Sequence, residues 1–174
     1  MSIYDNFPLK ISAKPPAFHG STVRQSITQS LWKKVRQEVL GEHNNTCSIC
    51  GFHTEESRKL HVHEIENYDF ENGICELIDL NLICVKCHAF QHMGRTERVS
   101  TKEQMEELIL HFIEVNECDR IDYVNHKLEA LNEFSKLTKI SPGFDKITFK
   151  ITCDIPYKDE VLNQLNKKAL LYSY

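Results

Sequence analysis

Apolar residues recur at Ile27, Leu31, Trp32, Val35 and Val39/Leu40, a spacing that predicts a helix from about Ile27 to Gly41, with Ser26 as its cap and Gly41 as its stop. Over Arg58–Ile65 the pattern changes: Leu60 and Val62 alternate with His61 and His63, as in a short strand. Asn72-Gly73 then marks a hairpin turn within 67–73, and Ile74–Ile83 is the returning strand. A helix follows over Cys84–His92 and ends at Gly94. Another begins at Ser100/Thr101, where Ser100 with Glu103 fits a capping box, and carries Met105, Leu108, Ile109 and Phe112/Ile113 on one face. A further helix from about Arg120 carries Ile121, Val124, Leu128, Leu131 and Phe134/Leu137, and both stripes are expected to be core. After the break at Ser141-Pro142-Gly143, Lys146–Cys153 alternates as a strand, and a last helix starts at Pro156 with Val161, Leu162, Leu165 and Leu170. Residues 1–26 hold Pro8, Pro15, Pro16 and Gly20 with little periodicity, which predicts an extended arm.

The 174 residues suit one small domain with elaborations. No apolar run approaches the roughly 20 residues of a membrane span, and the opening MSIYDNFPLK has no apolar signal core, so a cytoplasmic protein with no membrane partner is expected. The net charge of −4 argues against a broad non-specific nucleic-acid binder. Charge is uneven, however. The N-terminal third is basic and the middle acidic, so a DNA footprint would have to recruit the N-terminal segment or metal ions.

Seven cysteines include two C-x-x-C pairs, Cys47/Cys50 and Cys84/Cys87. Paired turns of this kind present four thiolates to one ion, and soft sulfur selects Zn2+. A structural zinc is therefore expected, because a small hairpin cannot bury enough surface to hold itself. The redox alternative lacks a βαβ context. Between and behind the cysteines lie His63, Glu64, Asp79, His88 and His92. On a helix, His88 and His92 at i and i+4 share one face, a two-ligand platform that His63 could complete. The competing reading of His63 is an exposed strand histidine beside His61. His19, His43, His53, His111 and His126 lack such partners and read as structural or exposed.

The segments LHVHEIENYD and LICVKCHAFQHMGR resemble the HNH (ββα-metal) endonuclease family, in a zinc-stapled subgroup with His-Glu in place of His-His. The resemblance covers roughly residues 25–115 and implies an α+β fold. The periodic pattern itself predicts a helix packed on the core over 116–140 and a C-terminal strand-helix extension over 141–174, where the resemblance does not reach, while the resemblance implies a zinc-stapled HNH-like core over 27–115 with flanking helices. It also implies His63, His88 and His92 as ligands of a second divalent cation (Mg2+, Mn2+, Ni2+ or Zn2+) and Glu64 as general base. Asp79 falls at the family's Asn position, and Arg95 would contact a phosphate. Two departures from the family pattern stand out. The usual base is a histidine near pKa 6.5, and a free Glu lies near 4.3. Asp79 would also place a second carboxylate beside Glu64, either raising its pKa or joining the metal shell. Neighbours on a strand face opposite ways, so His63 and Glu64 reach one site only at a strand end or bulge. The function so implied is DNA phosphodiester hydrolysis. The alternatives are a lapsed zinc module that binds a protein partner, such as a phage inhibitor of a host enzyme, and a non-cleaving DNA-binding regulator.

Overall fold

The computed structural model describes residues 2–173. Among them it is a mixed α/β structure with a three-stranded sheet and seven α-helices. Strands β1 (Leu60–Asp69) and β2 (Ile74–Cys84) form an antiparallel hairpin, and β3 (Thr148–Ile151) runs parallel to the first residues of β2. The hairpin turn needs Gly73. Its φ is +68°, and a Cβ there would lie 2.6 Å from the Lys146 carbonyl oxygen, too close for any side chain. Register slips between Ile65 and Glu66, where Ile65 faces Asp79 and Glu66 faces Leu77, so Ile78 is the extra residue of a bulge.

The helices are α1 (Val23–Ser26), α2 (Gln29–Glu42), α3 (Val85–Gln91), α4 (Met93–Val99), α5 (Lys102–Asn116), α6 (Arg120–Leu137) and α7 (Lys158–Lys167). Helix α2 packs on β2, while α3 packs on both hairpin strands and on α5. The core joins Leu31, Val35, Leu60, Leu82, Phe90 and Phe112. Several boundaries differ from the sequence expectation by a residue or two. Thr28, not Ser26, caps α2, and Gly41 lies inside it. Thr101 with Gln104 forms the capping box of α5, one position after Ser100 and Glu103. Gly94 lies inside α4, and the break after α3 falls at His92, whose φ of −134° and ψ of 40° are not helical.

The described part of the expected extended arm, residues 2–26, packs onto the core. Leu9, Phe18 and Val23 are buried in the shared core. The amide of Leu9 donates to Asn116 Oδ1, its carbonyl accepts from Asn116 Nδ2, and the Ile11 amide donates to His126 Nε2. An irregular segment shows no hydrophobic period because each apolar residue fills a separate hole, and side chains from α5 and α6 satisfy its backbone. Phe18 packs against Tyr68, Phe70 and Phe144. Phe18→Ala is expected to cost about 3–5 kcal/mol by chemical denaturation, with zinc content unchanged.

The stripe on α6 also departs from expectation. Tyr123, His126, Ala130 and Phe134 face the core, whereas Ile121, Val124, Leu128 and Leu131 are exposed on a neighbouring face. Both sets recur at helical spacing, so period alone cannot choose between them. No helix among the described residues is long and apolar enough to cross a membrane.

Candidate metal centres

The first centre is built by two turns. Cys47 and Cys50 follow α2 in a tight loop closed by the Gly51 amide donating to the Cys47 carbonyl at 3.0 Å, with Gly51 at φ +73°. The Ser48 amide donates to the Leu82 carbonyl at 2.8 Å and ties this loop to β2. Cys84 ends β2 and caps α3, its sulfur accepting from the Cys87 amide. The four Sγ atoms lie within 4.8 Å of one another, with Cys50 and Cys84 at 3.7 Å. A tetrahedral zinc with Zn–S of about 2.3 Å has S···S edges of about 3.8 Å, so this cluster could hold such an ion. Hydrogen bonds from Cys84 and Cys87 draw the Cys47 thiol far below its usual range, the same bonds push Cys87 up, and burial pushes Cys50 up to about 12. These sulfurs cannot all be thiolates without a cation between them. His111, on α5, lies 3.3 Å from Cys87 Sγ and can donate to it.

The second centre lies where β1 meets α3. Strand alternation turns His61 and His63 toward the helix, α3 returns His88, and the non-helical break between α3 and α4 returns His92. Ligand atoms of His63, His88 and His92 lie within 4.8 Å of one another, and the Nε2 atoms of His88 and His92 are 3.2 Å apart. Two nitrogens at about 2.1 Å from one ion would sit ~3.0 Å apart at a right angle and ~3.4 Å apart at the tetrahedral angle, which brackets this spacing. His61 does not join the trio. It stacks flat on His88 at 4.6 Å and 5°, fixing that ring's plane. Burial holds His63 down at about 4 and His88 at about 3, with smaller pushes from neighbouring rings, and it lowers His92 and His61 as well. Neutral imidazoles are the form that binds metal.

No family model, curated protein or solved structure matches this chain.

The carboxylates fall differently from the expectation. Glu64 follows His63 on β1, and the bulge comes only after Ile65, so strand alternation turns the Glu64 carboxylate from the trio. It accepts from the Arg24 amide at 3.1 Å, and burial, helped by Glu66, pushes it up to about 7. The second carboxylate acting on Glu64 is thus Glu66 and not Asp79. Asp79 is exposed, pairs in register with Ile65, and accepts from the Leu80 amide at 2.8 Å. Glu66 is nearly buried and accepts from Lys14 Nζ at 2.7 Å, Tyr68 Oη at 2.7 Å and Cys75 Sγ at 3.2 Å. Arg95 is exposed on α4, and its charge contributes to the lowered His92 pKa.

Sequence reasoning missed His61, Glu66, Lys14 and His111. The strand alternation that placed His63 also placed His61 on the same face, so that signal was present. Lys14 and His111 reach their sites from distant segments and leave no local trace.

Proposed function

We propose that this chain is a metal-dependent endonuclease of the HNH type that hydrolyses phosphodiester bonds in DNA. One observation carries the reading: His63 from the strand, His88 from α3 and His92 from the break that ends α3 converge, and His88 directly follows a member of the four-cysteine cluster. Zinc at the cysteines would staple hairpin to helix, and a second divalent cation at the trio would polarise a phosphate and stabilise the leaving oxygen. Each histidine then serves as a neutral ligand, with His61 holding the His88 ring in plane. Glu64, anchored by the Arg24 amide with its carboxylate turned from the trio, is not assigned the base role in this reading. Asp79 is given no role in this reading; one of its carboxylate oxygens accepts from the Leu80 amide. Arg95 is a candidate phosphate contact at the His92 side.

Plasmid cleavage in Mg2+, Mn2+, Ni2+ or Zn2+ tests the reading. Nicking or linearisation is expected with at least one ion, and a His63→Ala/His88→Ala double variant should abolish it. Glu64→Gln, with its side chain turned from the trio, should leave metal binding and turnover close to wild-type values. If no ion produces cleavage above the double variant, the hydrolytic reading fails.

A second reading has one observation in its favour. The exposed stripe Ile121, Val124, Leu128 and Leu131 on α6 is apolar surface that the chain itself does not cover. A zinc module that binds a protein partner through α6, with no catalysis, takes precedence if the plasmid test is negative.

A further inference from the structure

Arg24 stands beside the histidine centre in a position the sequence does not announce. It lies in α1, which Thr22 caps, and its amide donates to Glu64 Oε1 at 3.1 Å. Its backbone is therefore fixed against the residue that follows His63. Its guanidinium lies over the Trp32 ring, 5.7 Å from the centroid. A stacked guanidinium is held in place without losing its charge.

The neighbouring cations are otherwise engaged. Lys14 is paired with Glu66 and bonded to the Ser21 carbonyl, and Arg36 donates to the carbonyls of Ser57 and Leu60. Arg24 and Arg95 differ from them: both are exposed, and neither forms an ion pair with a carboxylate among the described residues. The two residues are held to different parts of the cluster. Arg24 is tied by its amide to Glu64, the residue after His63, and Arg95 donates its amide to the His92 carbonyl at 2.9 Å. Two guanidinia without a carboxylate partner among the described residues are thus fixed at separate ends of the histidine cluster. A single phosphate needs one such fork, whereas a chain of phosphates crossing the trio would use both.

We infer that Arg24 is a phosphate-contact residue working with Arg95, so that the ligand is a phosphodiester chain whose successive phosphates engage both forks. This rests on the endonuclease reading and adds to it the path of the backbone. A contact of this kind fixes position and carries no base information.

The test is the salt dependence of binding, read by fluorescence anisotropy with a labelled duplex of about 20 base pairs. The full-length zinc-loaded protein is used, with no second divalent ion added. Arg24→Ala should weaken binding equally for two unrelated sequences and reduce the slope of log Kobs against log[salt] by about 0.9. Arg24→Gln, which keeps a planar group on Trp32, should give the same loss, and Arg24→Lys should restore the slope. Arg120→Ala, whose guanidinium is paired with the Glu106 carboxylate of α5, should leave the slope unchanged. If the wild type binds and cleaves DNA but Arg24→Gln keeps its slope, the contact is refuted and the endonuclease reading stands. If the wild type neither cleaves DNA nor shows a salt-dependent affinity, both fall together.

Discussion

Cys87→Ser is expected to leave the four-cysteine cluster unable to hold zinc and to unfold the hairpin and α3 with it. Cys87 is fully buried, and its sulfur faces the other three and the His111 ring. Serine replaces a soft, ionisable ligand with a hydroxyl that stays protonated, leaving three thiols and a polar atom in a closed space. Structural zinc in small modules contributes about 10–16 kcal/mol, as much as the whole stability of an ordinary domain at about 5–15 kcal/mol. No reserve of that size exists in a two-stranded hairpin with one short third strand. Metal analysis and a thermal melt check this together. The variant should hold less than stoichiometric zinc and melt without a cooperative transition. Cys118→Ser, outside the cluster, should match the wild type in both. A Cys87→Ser protein with one bound zinc and a native melt would show that the four sulfurs do not form one site.

His88→Ala should abolish metal-dependent cleavage and spare the fold. His88 occupies the middle of the cluster: it stacks on His61, its Nε2 lies 3.2 Å from that of His92, and its ring centre is 5.6 Å from that of His63. Loss of an outer-shell partner typically costs 10–100-fold in metal affinity or activity, so removing a ligand itself should exceed about 100-fold. His88 is only half-buried, and its imidazole makes ring contacts with other members of the cluster, so stability should change little. Single-turnover cleavage with the second ion varied reads the loss. Zinc content and the melting temperature should stay at wild-type values. Retention of activity by His88→Ala would remove the histidine trio from the chemistry.

The parts of this molecule legible in the sequence were those with a short-range signature. The spacing of Cys47/Cys50 and Cys84/Cys87 foretold the cysteine cluster, since two C-x-x-C turns have few other uses at this separation. His88 and His92 at i and i+4, and His63 on an alternating strand, foretold which rings would converge. Asn72-Gly73 placed the hairpin because only glycine fits beside the Lys146 carbonyl. What escaped was set by tertiary contact. Leu9 and Phe18 belong to the core without any periodicity, because an irregular segment follows the surface it covers. Asp79 lay at a plausible motif position, yet the bulge at Ile78 and the packing of the N-terminal segment made Glu66 the partner of Glu64. On α6, two apolar faces of similar strength compete for burial, and tertiary contacts decide the outcome: the N-terminal segment covers His126, and Phe112 of α5 packs on Tyr123.

Anomalous diffraction from crystals of the zinc-loaded protein equilibrated with Mn2+, recorded at the zinc and manganese edges, would locate both ions at once. Zinc is expected among the four sulfurs, and manganese within bonding reach of one ring nitrogen each of His63, His88 and His92. A crystal that shows zinc at the cysteines but no manganese at the three histidines, even at millimolar concentration, would contradict a second metal centre and leave this scaffold without its hydrolytic role.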